Sequence, residues 1–239
     1  MTELDLRLGD CKQLIKTLPD NSVDLILTDP PYNIAKYSTG NIKFNWRSDI
    51  NNDIAEWDEI PLDPKCFVED FKRILKPTGN AFVFTSYNMI GEWHKAFDKE
   101  YDTFQFMAWH KTNPVPNFMQ TSFLNSVELI ACFWNKGHTW NFINQVKMHN
   151  FIESSICGGS ERLKDPKHPT QKPIKILEHI INIASNEEDV VFDPFMGVGS
   201  TGVAAKNLTR NFIGFELDAK YFKAAEKRLA DDEPCVKIV

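Results

Sequence analysis

Short apolar runs alternate with amphipathic stretches along most of this chain, and that alternation limits the fold more than any other feature. The predicted strands cover residues 4–8, 23–28, 80–85, 104–109, 127–134, 190–193 and 212–216. The predicted helices cover residues 11–18, 64–75, 89–97, 174–184, 200–208 and 221–229. Repeated strand-then-helix units pair their strands in parallel. The predicted fold class is therefore α/β, a mostly parallel twisted sheet with helices on both faces.

Length and composition place the chain among single-domain globular proteins. Its 239 residues, 42% of them hydrophobic, suffice for one large domain with an insertion. Because the sequence lacks both a run of 18 apolar residues and a signal-peptide pattern at its start, we expect a soluble, cytoplasmic protein. The five scattered cysteines include no Cys-x-x-Cys pair, which argues against a disulfide framework and against a zinc site.

Charge is distributed unevenly along the chain. The net charge is −6, yet residues 104–175 hold eight Lys/Arg and four Asp/Glu, so that segment is +4 and the remainder is −10. A basic segment in an acidic protein fits a face that binds a polyanion, and it fits an ordinary solvated surface equally well.

The tetrapeptide Asp29-Pro30-Pro31-Tyr32 directly follows the apolar run 23–28. A carboxylate at the carboxyl end of a strand lies where open α/β sheets bind ligands. The two prolines stiffen the turn and remove two N–H donors, which leaves its carbonyls available as acceptors. We interpret the motif as a holder for a planar amino group, with Tyr32 stacking on the group's ring. The alternative is an ordinary Asp-Pro turn with a core tyrosine.

A second motif, residues 193–202, joins a predicted strand to a predicted helix and contains Gly-x-Gly-x-x-Gly. Glu216 follows 19 residues after Gly197, at the end of the next predicted strand. This arrangement is typical of sites for adenosine-containing cofactors, so a dinucleotide-dependent oxidoreductase and a protein that binds S-adenosylmethionine both fit it. Asp193 suits a cationic amino-acid group better than a pyrophosphate, which favours S-adenosylmethionine.

Taken together, the motifs resemble the DNA amino-methyltransferases of the β arrangement, in which the catalytic motif precedes the cofactor motif. The matching segments are 9–11 (Gly-Asp-Cys), 29–32, 109–111 (Trp-His-Lys), 168–173 (His-Pro-Thr-Gln-Lys-Pro), 193–201 and 214–218 (Gly-Phe-Glu-Leu-Asp). The resemblance covers almost the whole chain. It implies a Rossmann-like methyltransferase fold with permuted motif order and a target-recognition insertion.

The resemblance also implies where S-adenosylmethionine binds. Phe195 and the glycines cradle the methionine part, and Glu216 takes the ribose hydroxyls. Asp10 contacts the adenine amino group, and Lys172, within the segment 170–173, is the countercharge to the donor's carboxylate. The implied cofactor-binding residues are Asp10, Cys11, Thr170, Lys172, Asp193, Phe195, Gly197, Gly199, Ser200, Thr201, Glu216 and Leu217.

The implied reaction is direct methyl transfer to the N6 amino group of adenine in duplex DNA after base flipping. Asp29 and the carbonyl of Pro30 each accept one amino hydrogen, while Tyr32 stacks on the flipped base. Asp29 as first residue of the tetrapeptide points to adenine, since serine is more usual there in cytosine-N4 members. Cytosine-N4 methylation remains an alternative, as do methylation of a protein glutamine or an RNA amino group and a DNA-binding protein without turnover.

By the same resemblance, residues 1–103 form the catalytic half, 104–167 the end strands with the target-recognition insertion, and 168–239 the cofactor-binding half. We expect Asn113, Asn117, Gln120 and Asn125 to read base edges and Lys111, Lys136 and Lys147 to bind phosphate. The polar segment 33–60 is expected to close over the flipped base, with Trp46 and Trp57 as core anchors or base wedges.

The expected partner is double-stranded DNA in a bacterial or phage, nucleoid-associated context. A homodimer and a cognate restriction endonuclease are further predicted partners.

Overall fold

The computed structural model of the protein describes residues 2–32, 62–117 and 120–230. The segment 33–60, with Trp46 and Trp57, lies outside the described residues, so the predictions made for it stay predictions. Within the described ranges, no helix combines the length and the apolarity needed to cross a lipid bilayer.

One sheet runs through the described part of the chain. Its strands are β1 (Leu4–Leu8), β2 (Val23–Thr28), β3 (Leu75–Thr85), β4 (Thr103–Lys111), β5 (Val127–Trp134), β6 (Phe151–Ser154), β7 (Val190–Asp193) and β8 (Asn211–Glu216). Their order across the sheet is β1-β8-β7-β2-β3-β5-β4-β6. Only β5 runs antiparallel to its neighbours β3 and β4, and all other described pairings are parallel. The predicted α/β class with a mostly parallel sheet is confirmed.

Helices cover both faces of the sheet. They are α1 (Cys11–Leu14), α2 (Val68–Ile74), α3 (Ile90–Phe97), α4 (Ile174–Ala184), α5 (Ser200–Asn207) and α6 (Ala219–Ala230). Alternate residues of a strand face opposite sides, and in β2 Leu25 packs with α4 and α5 whereas Ile26 packs with α1, α2 and α3. Two apolar cores therefore lie on either side of the sheet, as continuous burial of β2 requires.

Four differences from the predicted elements bear on the fold. Strand β6 was not predicted, because it is a four-residue strand in a polar segment and pairs only with the edge of β4. The predicted helix 11–18 ends as a 3-10 turn over Ile15–Thr17, and the predicted helix 64–75 begins as one over Pro64–Phe67. Strand β3 starts at Leu75, because Leu75 pairs with Val23 across a register shift.

Strand direction decides which loops lie near one another. The parallel strands and β4 all end at one edge of the sheet, here called the carboxyl edge, where Asp193 and Glu216 close β7 and β8. The loop of residues 112–126, of which 112–117 and 120–126 are described, follows β4 and leaves from the same edge. Strand β5 runs the other way, so residues 135–150 begin at the opposite edge, where the Thr139 amide donates to the Thr78 carbonyl near the start of β3.

Candidate functional site

A cavity of about 800 Å³ opens at the carboxyl edge and brings the two sequence motifs together. Its volume is within the range of pockets that hold a small-molecule cofactor, roughly 300–1,000 Å³. The predicted site residues that line it are Asp10, Cys11, Asp29, Pro30, Tyr32, Thr170, Lys172, Asp193, Phe195, Gly197, Ser200, Thr201, Glu216 and Leu217. Asp29 and Glu216, nearly 190 positions apart in the sequence, thus face a common space.

The Glu216 carboxylate is oriented by backbone amides at the end of β8. Its Oε2 atom accepts a 2.9 Å hydrogen bond from the Gly197 amide, and its Oε1 atom accepts one of 2.7 Å from the Asp218 amide. Burial raises the pKa of Glu216, and these amides oppose the rise. An oriented carboxylate at the wall of the cavity is well suited to accept hydrogen bonds from vicinal hydroxyl groups.

The Asp10 carboxylate, two residues after the end of β1, lines the same cavity. It caps α1 by accepting a 2.9 Å hydrogen bond from the Lys12 amide. Beside it, burial raises the pKa of the Cys11 thiol to about 12, so this thiol stays protonated at neutral pH. Cys11 therefore contributes an apolar surface to the cavity and no nucleophile.

The two motif glycines have different tasks in the loop before α5. Gly197 has φ +54°, and a Cβ atom there would lie 3.1 Å from Nε2 of His168 in the cavity wall. Gly199 has φ +78°, and its Cβ would meet Ala225 of α6 at 3.1 Å. Gly197 thus keeps the cavity open, whereas Gly199 lets α5 pack against α6 and is not among the lining residues.

Asp193 holds the carboxyl edge together. Oδ1 accepts hydrogen bonds from Thr28 at 2.7 Å and from the Phe195 amide at 3.0 Å, and Oδ2 accepts one from Thr201 at 2.7 Å. The side chain is buried, and burial raises its pKa to about 6 despite these donors. The predicted role of Asp193 toward a cationic group stays a prediction, because the structure engages the carboxylate in joining β2 to α5.

His168 is a cavity residue to which the sequence assigned no role. Its ring packs edge-on against Tyr221 with centroids 4.7 Å apart, and both residues line the cavity. Burial, with Lys172 and Arg162 nearby, lowers the pKa of His168 to about 4, so the imidazole is neutral at neutral pH. The signal available in the sequence was its position in the matching segment 168–173, two residues before Thr170.

At the Asp29 end of the cavity, four side chains share hydrogen bonds. Oδ1 of Asp29 accepts from the Tyr32 hydroxyl at 2.6 Å, and Oδ2 accepts from Nζ of Lys172 at 2.5 Å. Glu128 on β5 completes the group, with its Oε2 atom 3.1 Å from the Tyr32 hydroxyl and 3.3 Å from Nζ of Lys172. The ammonium also lies 5.2 Å from the centroid of the Tyr32 ring.

Burial and mutual charge set the protonation of this group. Burial raises the pKa of Asp29, and the ammonium of Lys172 opposes that rise. Burial raises the pKa of Tyr32 well above its usual value, with both carboxylates adding to the effect, so its hydroxyl is a donor. Against burial, Lys172 and Lys111 hold the pKa of Glu128 below its usual value, while Asp29 and Glu128 raise that of Lys172.

The predicted role of Lys172 as countercharge to the donor's carboxylate stays a prediction, because the structure engages the ammonium with protein groups. Its ammonium is committed to Asp29 and Glu128. Glu128 was not predicted, because its partner Lys172 stands 44 residues away and nothing local marks the pairing. The available signal was a lone carboxylate at the start of the otherwise apolar strand β5.

The predicted DNA-reading residues are spread over two edges of the sheet. Nζ of Lys111 lies 2.7 Å from Oε1 of Glu128. The side-chain oxygens of Asn113 and Asn117 accept from the backbone amides of Ile156 and Gln120 inside the loops. Lys136 and Lys147 belong to the segment that begins at the opposite edge, where the Lys136 amide donates to Asp102. None of these residues lines the cavity, so their DNA contacts stay predictions.

The residues present fit S-adenosylmethionine. Carboxylates at the ends of β1 and β8 provide acceptors for an adenosine, Gly197 leaves room that a side chain would fill, and Phe195 adds an apolar wall. The donor's sulfonium carries a transferable methyl group. Asp29 and Tyr32 line the same space, so a methyl acceptor bound there would meet the donor within one cavity.

Comparison with known proteins identifies DNA methyltransferases as relatives. A family model described as DNA methylase, of the N6/N4 methyltransferase type, matches residues 23–227. Type II methyltransferase M.HinfI of Haemophilus influenzae is 38% identical over an alignment of 247 positions, which covers 95% of this chain and 68% of that protein. Type II methyltransferase M2.LlaDCHI of Lactococcus lactis subsp. cremoris is 34% identical, over 92% of this chain and 87% of that protein.

Solved structures agree with this grouping. The crystal structure of the M1.HpyAVI–SAM complex superposes with a TM-score of 0.67 at 31% identity, covering 95% of this chain and 100% of that one. PvuII DNA methyltransferase, which is cytosine-N4-specific, superposes with a TM-score of 0.73 at 19% identity, over 97% and 88% of the two chains, and shares the fold. The chain belongs to the N6/N4 DNA methylase family, the S-adenosylmethionine-dependent enzymes that methylate amino groups of DNA bases.

Proposed function

We propose that this protein methylates the exocyclic N6 of adenine in duplex DNA, after the adenine has been flipped out of the helix. The observation that carries the proposal is the Asp29 carboxylate, which directly follows β2 and shares one cavity with Gly197 and Glu216. Within the family, aspartate at this position is usual in adenine-N6 members and serine in cytosine-N4 members. A carboxylate here therefore favours adenine as the base.

Asp29 can hold an amino group without losing its present partners. Each carboxylate oxygen has two acceptor sites, and here each oxygen uses one of them, for Tyr32 or for Lys172. The amino group of the base donates one hydrogen to Asp29 and the other to the Pro30 carbonyl. Its lone pair, no longer drawn into the ring, points toward the donor methyl. The lone pair forms the new N–C bond as the C–S bond of the sulfonium breaks, which releases neutral S-adenosylhomocysteine. The anionic carboxylate stabilises the positive charge that develops on the nitrogen and accepts the proton that the methylated nitrogen then loses.

Tyr32 provides the stacking surface for the flipped base. Its hydroxyl is fixed between Asp29 and Glu128, so the ring enters the reaction with its orientation already set. Stacking of a base on an aromatic ring is worth roughly 1–3 kcal/mol. That gain offsets part of the few kcal/mol that unstacking a base from the duplex costs.

The loop of residues 112–126 is the part of the predicted insertion that we assign to DNA. It leaves β4 at the carboxyl edge, the same edge as Asp29, and exposes apolar side chains, with Phe123 99% exposed. Exposed apolar side chains beside a site for a flipped base suit insertion between base steps. Residues 135–150 begin at the opposite edge, and we assign them no contact with the flipped base.

Nucleoside analysis tests the proposal. Unmethylated phage DNA is incubated with the full-length protein and S-adenosylmethionine, digested to nucleosides and analysed by mass spectrometry. The expected product is N6-methyldeoxyadenosine. N4-methyldeoxycytidine would overturn the choice of base, and an absence of methylated nucleosides in DNA of several sequences would overturn DNA methylation by this chain.

The relatives named type II methyltransferases suggest a restriction-modification context. We propose that the recognised DNA site is short and specific, and that a restriction endonuclease cutting the same site is the cognate partner. Methylation-aware sequencing of DNA from expressing cells reports base, position and motif together. A homodimer remains a prediction, and sedimentation of the purified protein tests it.

A further inference from the structure

A series of four side chains of alternating charge runs from Asp29 through Lys172 and Glu128 to Lys111, at the base of the loop 112–126, here called the DNA-facing loop. Nζ of Lys172 lies 2.5 Å from Oδ2 of Asp29 and 3.3 Å from Oε2 of Glu128. The other oxygen of Glu128 lies 2.7 Å from Nζ of Lys111. Lys111 ends β4 and Glu128 is the second residue of β5, so these two residues stand at the two feet of the loop 112–126.

The middle of this series is withdrawn from solvent. The Lys172 side chain is only 5% exposed, and those of Lys111 and Glu128 are 12% and 16% exposed. A buried ammonium requires ionised or hydrogen-bonding partners, since desolvation alone would favour its neutral form. Asp29 and Glu128 supply two such partners, while the ring of Phe84, 5.1 Å from the ammonium, closes one side.

Lys172 also restricts the protonation state and the orientation of the Asp29 side chain. Among the described residues, the charged and titratable groups around Asp29 are Lys172, Glu128, Tyr32 on its own segment and Asp193 on β7. Lys172 is the cation in this set. Both its direct contact and its charge favour an ionised Asp29 with one fixed side-chain orientation.

We infer that Lys172 is a positioning residue that fixes the orientation and the anionic state of Asp29, and that Glu128 holds Lys172 in place from the foot of the DNA-facing loop. The inference deepens the proposed function and rests on it, because it takes Asp29 as the acceptor for the base's amino group. It gives the segment 170–173 (Thr-Gln-Lys-Pro) a role in the methyl-transfer step in addition to lining the donor cavity.

This arrangement couples the loop to the chemistry. Any displacement of the feet of the loop on DNA binding moves Glu128, and with it the cation that orients Asp29. A shift of about 1 Å in a reacting group is enough to change a rate on the order of 10²-fold.

The test uses two variants that change opposite charges beside Asp29. Single-turnover methyl transfer from radiolabelled S-adenosylmethionine to unmethylated phage DNA is measured against pH for the wild type, Lys172→Met and Glu128→Gln. Lys172→Met removes the cation, so we expect the acid limb of the profile to move to higher pH, with a rate at neutral pH lower by on the order of 10²-fold. Glu128→Gln removes an anion, so its acid limb should move to lower pH, with a loss of roughly tenfold from weaker orientation.

If Lys172 and Glu128 were only structural, both variants would have lower rates, and the acid limbs of their pH profiles would either stay in place or move in the same direction. Either outcome overturns the inference. Lys172→Arg, which keeps the charge, should restore the wild-type acid limb even where its rate stays low. The melting temperature checks that each variant is folded, and if Lys172→Met does not fold, the direction of the Glu128→Gln shift decides. Failure of the proposed function appears separately, as a wild-type product other than N6-methyldeoxyadenosine.

Discussion

Nζ of Lys172 lies 2.5 Å from Oδ2 of Asp29, although 143 residues separate the two in the sequence. The contact joins the tetrapeptide after β2 to the segment before α4, and it places a cation within the acceptor half of the site. Under the proposed function, methyl donor and amino acceptor are held by different parts of the chain that share Lys172 as a neighbour. Removing Asp29 should therefore separate catalysis from donor binding.

We predict that Asp29→Ala loses methyl transfer by about 10²–10³-fold or more, because a preorganised electrostatic group at the reacting nitrogen is removed. Affinity for S-adenosylmethionine should change little, since Gly197 and Glu216 are intact. Transfer is measured with radiolabelled donor and affinity by isothermal titration. Asp20→Ala, which removes a side chain 70% exposed on the surface, is the control and should retain activity. Near-normal turnover by Asp29→Ala would remove Asp29 from the catalytic role.

Two glycine-to-alanine substitutions should change stability in opposite directions. Gly197→Ala forces a side chain onto φ +54° and brings its Cβ to 3.1 Å from Nε2 of His168, so we expect a loss of about 1–2 kcal/mol in unfolding free energy and weaker donor binding. Gly91→Ala places a Cβ in open space on α3, and we expect a gain of about 0.5–1 kcal/mol. Denaturant unfolding measures both. Equal effects of the two substitutions would contradict the tight fit assigned to Gly197.

Glu216→Gln should weaken donor binding while leaving the fold intact. Backbone amides orient both carboxylate oxygens toward the cavity, and a glutamine keeps only one acceptor oxygen, so one of the two ribose hydroxyls loses its acceptor. The loss of one hydrogen bond to a charged group, roughly 1.5–3 kcal/mol, corresponds to about tenfold or more in the dissociation constant for S-adenosylmethionine. Glu226→Gln, on the exposed face of α6, is the matched control and should bind the donor normally. Unchanged affinity in Glu216→Gln would exclude the predicted ribose contact.

The sequence was sufficient to predict the fold and the two motifs, because both depend on local patterns. Strands β1, β5 and β7 and helix α4 begin and end at the predicted residues, since their apolar periodicity is unbroken. The role of Glu128 was beyond prediction, because it depends on a side chain from another part of the chain meeting β5. The same reason explains why Asp193 and Lys172, read as ligand contacts, are engaged with protein groups.

Phe123 should contribute to DNA binding and not to stability. Its side chain is 99% exposed on the loop 112–126 at the carboxyl edge, so the folded protein gains little from it. Phe123→Ser should therefore leave the melting temperature unchanged and weaken DNA binding several-fold, measured by fluorescence anisotropy with a labelled duplex. The control is Val146→Ser, a change from an 81% exposed apolar residue in the segment that begins at the opposite edge. Equal loss of affinity in both variants would contradict the assignment of the DNA face.

The buried carboxylate of Asp193 should make stability depend on pH. Burial raises its pKa in the folded state from the usual 3.8 to about 6, so the folded protein binds the proton more tightly than the unfolded chain does. The contribution of this group to stability is complete below about pH 4 and is lost as the pH rises to about 6. Over that window the unfolding free energy of the wild type, relative to that of Asp193→Asn, should fall by up to about 3 kcal/mol as the pH rises.

Urea unfolding of wild type and Asp193→Asn at half-unit steps from pH 4 to pH 8 measures this difference. Because the variant lacks the titrating group, changes common to both proteins cancel and the remaining slope belongs to residue 193. A difference that is flat across the window, or that favours the wild type as the pH rises, would mean that the hydrogen bonds from Thr28 and Thr201 outweigh burial. In that case Asp193 stays ionised in the folded protein throughout the range.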